Sequence, residues 1–199
     1  RDNFCGAEKD TAALMDVDEY YLMDKEAETV PIGAERLLYL PYLMGERTPH
    51  LDPDARGVFF GLSAMHTKKH MLRAVMEGVA YSLRDCVEVF REMGINVSDM
   101  MACGGGGTSP LWRSMLADLY GCEEKTPASK EGPALGAALL ASVGAGIYGS
   151  VPEAVKAVVR TDKVCQPDSS RMERYDEFYS LYREIYPALK DSFSRLATL

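Results

Sequence analysis

The chain is short of positive charge. Its 22 Lys and Arg face 30 Asp and Glu, for a net charge of −8 at pH 7 and a pI near 5.0. A dedicated nucleic-acid binder carries a basic patch, so this balance excludes that class. It leaves room for a phosphate-bearing ligand, because main-chain N–H groups hold phosphate without Lys or Arg. Cysteine is also sparse: Cys5, Cys86, Cys103, Cys122 and Cys165 are odd in number, far apart, and never in a CxxC. That excludes a disulfide framework or a zinc ribbon and predicts free thiols in a reducing cytoplasm. No basic segment with an apolar core opens the chain, so no signal peptide is read. No continuous apolar run reaches the roughly 20 residues of a membrane span, which predicts a soluble protein with no membrane partner. The nearest approach is the uncharged stretch of 21 residues from Gly132 to Pro152, which holds five glycines and two prolines. It predicts a buried helix from Pro133, broken at Gly144, and then a loop.

What is present is an ordinary globular composition. The 199 residues are 47% hydrophobic and 26% charged, enough for one large domain or two small ones with a core of their own. Arg1 to Ala13 shows no periodicity and reads as the continuation of something upstream. Asp16 to Glu28 permits a helix. Leu37 to Leu40 and Val58 to Phe60 are short strands, separated by the long polar loop 44–57, MGERTPHLDPDARG. From Leu72, Val75, Met76, Val79, Ala80, Leu83, Val87 and Phe90 recur at helical spacing up to the stop at Gly94. Ser98 to Cys103 reads as a buried strand. A helix fits Pro152 to Val158, and a long amphipathic helix from Ser170 carries Tyr175, Phe178, Tyr182, Tyr186, Leu189, Phe193 and Leu196, with Pro187 as a kink. That aromatic stripe is expected to pack against the sheet. Strands alternating with helices imply an α/β domain.

The heaviest punctuation falls at Gly104-Gly105-Gly106-Gly107-Thr108. Ser109 follows as an N-cap, Pro110 stands at the first helical position, and Gly121 ends that helix. A strand, four glycines and a helix start suit a nucleotide: the backbone can approach a ligand closely, and the helix offers free N–H groups. The plainer reading is a tight turn without a ligand. Neither a GxGxxG fingerprint nor a Walker A loop fits, since Ser109 stands where the first needs Gly and no Lys-Ser/Thr closes the second. Other candidates are weaker. His66 and His70 could share a helix face but have no evident third ligand, so no metal site is read. No GxSxG occurs, and His50 has no triad context. Cys103 reads as a buried strand-end thiol. Glu46, Arg47, Asp52, Asp54 and Arg56 could bind substrate or form a salt-bridged solvated loop. Glu77 could be a general base or simply the partner of Arg73 at i,i+4.

Four blocks in this order resemble the second half of the FGGY carbohydrate kinases: LPYLMGERTPHLDPDARGVFFGLS, HTKKHMLRAVMEGVAYSLRD, GGGGTSPLWRSMLADLYG and EGPALGAALLA. The resemblance runs from about Val17 to the C-terminus. It implies a ribonuclease H-like, actin-like domain with a mixed sheet flanked by helices, over 17–199, with 1–16 as a remnant of an upstream segment. It further implies phosphorylation of a sugar hydroxyl by ATP and Mg²⁺. Within the family, the loop wording favours the branch acting on D-xylulose, with other ketoses, polyols or a non-catalytic nucleotide module as alternatives. Carried over, the resemblance puts the adenosine of ATP at the turn Gly104 to Gly107. Gly105 and Gly106 lie against it, and Ser109 or Pro110 sits beside base or ribose. Glu131 to Ala138 packs behind the site. The catalytic Asp, the sugar contacts and most Mg²⁺ contacts are expected upstream, so the chain alone is expected to be inactive. A cytoplasmic location is expected, and a homodimer is allowed.

Overall fold

The computed structural model describes residues 2–129 and 131–199; Arg1, the first residue of the stretch read above as a continuation from upstream, lies outside them. The opening is helical after all: α1 spans Gly6–Met15. Its hold is polar, which is why no apolar period announces it. Buried Glu8 pairs with Lys68, and Ala12 is its other buried residue. Asp16 closes α1 in a left-handed conformation, and the Asp18 side chain accepts from Tyr20 N–H to start α2, Glu19–Glu28. These two devices delay α2 by three residues relative to the sequence expectation.

Residues 33–36 then make one turn of the opposite hand. Gly33, Ala34, Glu35 and Arg36 have φ of 81°, 44°, 56° and 73°, and Arg36 N–H donates back to the Gly33 carbonyl at 2.7 Å. From there β1, Leu38–Leu40, pairs antiparallel with β2, Val58–Phe60. α3 spans Lys68–Glu92 and passes under β1 so closely that a Cβ on Gly78 would run into the Tyr39 carbonyl. A glycine is what allows the crossing.

The face α3 buries differs from its apolar stripe. Arg73, Glu77, Tyr81 and Asp85, four residues apart, are all turned inward, whereas Leu83 and Phe90 are exposed. The reason is the partner. α7, Ser169–Leu196, lays Tyr175, Tyr179, Tyr182 and Tyr186 into the same core, and their hydroxyls need charged or polar partners. Thus the aromatic stripe packs mainly between helices and on β1, with the mixed sheet playing a lesser part. Leu196, assigned to the stripe, is exposed.

The second sheet is mixed, in the order β3-β4-β5. β3, Asp99–Met101, is parallel to β4, Glu123–Pro127, and β5, Thr161–Cys165, is antiparallel to β4. α4, Pro110–Tyr120, covers it with Met115, Leu116, Leu119 and Tyr120. β3 was expected to be buried but lies at an edge, with Asp99 and Met101 exposed. Cys103 is exposed too, against expectation, because the chain leaves the sheet there. α5, Gly132–Gly144, is the largest departure. Without a charged residue, it still buries only Leu139, because its packing partner is α6, Val151–Val158. All five cysteines are free thiols, and no helix among the described residues is long and apolar enough to cross a membrane.

Candidate functional site

The glycine turn links β3 to α4. Gly104 takes φ +74°, ψ −163°, a conformation closed to side chains, and Gly105–Thr108 wind into a single 3-10 turn. Gly107 N–H donates to the Gly104 carbonyl at 3.2 Å and Ser109 N–H to the Gly106 carbonyl at 3.1 Å. The N–H groups of Gly105 and Gly106, first in the turn, take no part in that pattern and stand on exposed residues. As expected, Ser109 caps α4: its Oγ accepts from Trp112 N–H at 3.0 Å, and Pro110 occupies the first turn. The Ser109 hydroxyl also meets the Asp24 carboxyl of α2, which burial raises above the usual Asp range against that hydrogen bond.

The four glycines are not equivalent. A Cβ on Gly107 would stand 2.7 Å from the Ala102 carbonyl oxygen, and one on Gly106 would stand 3.2 Å from Trp112 Nε1. Both therefore face the protein. A Cβ on Gly104 or Gly105 would meet nothing within 4 Å. For Gly104 the backbone explains the residue; for Gly105 nothing among the described residues does. That open side, with its free N–H groups at the start of α4, is a cradle for an anionic or polar ligand.

The other sequence candidates resolve into structure. Glu77 is 1% exposed, accepts from Arg73 Nε at 2.6 Å and receives Gly33 N–H on both oxygens at 3.1 Å. Burial raises its carboxyl while Arg73 opposes the shift. It clamps the left-handed turn and is not poised over any cleft as a base. His66 Nδ1 accepts from Ser63 N–H, so its Nε2 carries the proton to the Glu35 carbonyl; His70 Nδ1 accepts from Thr67 N–H. Both histidines stitch main chain at the start of α3. No group of three metal-ligating side chains occurs among the described residues.

The loop 44–57 is pinned rather than salt-bridged. Glu46 and Asp52 exchange main-chain hydrogen bonds at 2.8 and 2.7 Å, and Arg56 reaches only the carbonyls of Pro53 and Ala55. The Asp52 carboxylate accepts Tyr186 OH at 2.8 Å, which holds it below the usual Asp range. A hollow of about 230 Å³ lies between this loop, α3 and α7, lined by Tyr42, His50, Asp85, Tyr182 and Tyr186. It does not include the glycine turn. Gly104 to Gly107, Ser109 and Pro110 follow one another at the start of α4, with Gly107 and Ser109 half-buried and the other four exposed. The residues that sequence reasoning missed are Trp112 and Asp24, which pack beneath and beside that turn.

Comparison with known proteins identifies the family. The model of the FGGY family of carbohydrate kinases, C-terminal domain, matches residues 2–145. Xylulose kinase of Bacillus subtilis (strain 168) is 40% identical over 164 residues, covering 82% of this chain and 33% of the relative. Gluconokinase of Bacillus licheniformis is 35% identical over 198 residues, covering 99% of this chain and 38% of the relative. The crystal structure of ligand bound xylulose kinase from Lactobacillus acidophilus aligns with a TM-score of 0.82 at 31% identity, over 96% of this chain and 39% of that one. The chain spans about a third of the length of the curated relatives it matches. Sequence and fold agree, and the chain belongs to the FGGY family of carbohydrate kinases, of which it carries the C-terminal domain.

Proposed function

We propose that this chain forms the adenosine-side half of a sugar kinase active site. Gly105 and Gly106 present N–H groups to the nucleotide at the positive end of α4, with Ser109 and Pro110 flanking it. The carrying observation is Gly105, which has neither a left-handed φ nor a neighbour that a Cβ would touch. Its missing side chain makes sense if a ligand occupies that space. In the longer kinase, the reaction is in-line transfer of the ATP γ-phosphoryl group to the 5-hydroxyl of D-xylulose. The base that takes the hydroxyl proton and the ligands of Mg²⁺ belong to the part of the enzyme outside this chain. The gluconokinase match over nearly the whole chain supports a second reading, with gluconate as acceptor.

Calorimetric titration of this chain with ATP tests the site. Gly105→Ala should weaken binding about tenfold or more, while stability stays level or rises by about 0.5 kcal/mol, since alanine restricts the unfolded chain. Gly107→Ala should instead lose about 1–3 kcal/mol of stability through its clash with the Ala102 carbonyl. ATP binding that is unaffected by Gly105→Ala would overturn the assignment. Turnover of D-xylulose against gluconate by the longer kinase separates the two acceptors.

A further inference from the structure

Trp112 is the sole tryptophan of the chain, and it touches three things at once. Its main-chain N–H donates to Ser109 Oγ and closes the cap of α4. Its indole lies on the inner side of the glycine turn, with Nε1 and Cδ1 at 3.2 and 3.3 Å from where a Gly106 Cβ would be. The same side chain packs against the main hydrophobic core. The Ser109 hydroxyl that accepts from Trp112 also lies close to the Asp24 carboxyl of α2.

We propose that Trp112 is a positioning residue for the nucleotide: its indole, rooted in the core, sets the plane in which the N–H groups of Gly105 and Gly106 are presented. Gly106 lacks a side chain to admit the indole, and Gly105 lacks one to admit the ligand. An open 3-10 turn of glycines has little stiffness of its own, because each glycine has wide conformational freedom. Of the side chains nearest to where Cβ atoms of the four glycines would stand, Trp112 is the one that is large and rigid. This inference rests on the adenosine-side reading above.

Two variants test it in the intact chain. Trp112→Leu removes the flat support, and Trp112→Phe keeps an aromatic plane without the indole N–H. In Trp112→Leu, hydrogen exchange of the Gly107 and Ser109 amides, which are the hydrogen-bonded ones of the turn, should rise about tenfold or more, while that at 116–120 in α4 changes by less than about threefold. The ATP dissociation constant should rise about tenfold in the same variant and return to within about threefold of the parent in Trp112→Phe. Unchanged exchange at the turn would overturn the inference, and so would a loosened turn that binds ATP as tightly as before. If the parent chain binds no ATP at all, the adenosine-side reading falls first and takes this one with it. Normal ATP binding by the parent with unaffected variants removes the Trp112 role alone.

Discussion

The seam between α3 and α7 and the helix α5 invert what their compositions suggest. The seam contains Arg73, Glu77, Asp85 and five tyrosines, yet it is the interior of the molecule. α5 contains no charge, yet Leu140 on it is 62% exposed. Partners decide the matter, and hydrophobicity only proposes. In the seam the charged groups meet complements, with the Tyr81 hydroxyl left unpartnered: Arg73 Nη2 donates to Tyr175 OH at 2.7 Å, and Tyr179 OH donates to Asp85 at 2.6 Å. Rings pack between them: Tyr81 stacks on Tyr179 with centroids 6.0 Å apart and lies tilted against Tyr182 at 5.2 Å. Burying polar groups is tolerable on these terms. α5 has only α6 against it, so its apolar surface stays open however strongly water disfavours it.

The contrast can be broken most directly at Glu77. Glu77→Ala strands a buried guanidinium and the Gly33 N–H, and should cost about 3–5 kcal/mol in urea unfolding. A loss under about 1 kcal/mol would mean that the seam is held by ring packing alone. Paired leucine truncations sharpen the other side. Leu119→Ala, beneath the sheet, should lose about 2–5 kcal/mol, and Leu140→Ala on α5 no more than about 0.5 kcal/mol. Equal losses would show that α5 is packed in solution.

The smallest effect concerns a buried carboxyl whose partners fall short. Glu124 on β4 is 2% exposed, and neither its Oε2 nor the nearby Arg113 Nε has a hydrogen-bond partner. Burial raises the Glu124 carboxyl to about 7, with Arg113 opposing. A carboxyl that holds its proton more tightly when folded favours the native state in acid. Its contribution declines as pH climbs from the ordinary carboxylate range to about 7 and is flat above that. Glu124→Gln should therefore gain about 1 kcal/mol over the parent between pH 5 and pH 8, read from unfolding midpoints at both. A parallel response in both proteins would place the titration elsewhere.

Much of this was legible beforehand, for reasons that are local. Ser109, Pro110 and Gly121 mark both ends of α4 because caps are made within a few residues. The extent of α3 was readable from its period, but not its buried face, which is chosen by tyrosines about a hundred residues away. β4 escaped notice because Glu124 and Thr126, both polar, are the residues it turns inward. The four glycines were visible as a set. Their division into two that face the protein and two that face outward depends on Ala102 and Trp112, which come together only in space.

The turn at 33–36 has a stereochemical consequence. Three L-residues there, Ala34, Glu35 and Arg36, hold backbone angles natural to their mirror images. Glu77 enforces this by gripping Gly33 N–H. A D-alanine placed at 34 by chemical ligation would sit in its own preferred well, whereas in most of the chain it would unfold a helix or strand. Between Gly33 and Arg36, this protein is built to the opposite chirality from the rest of itself.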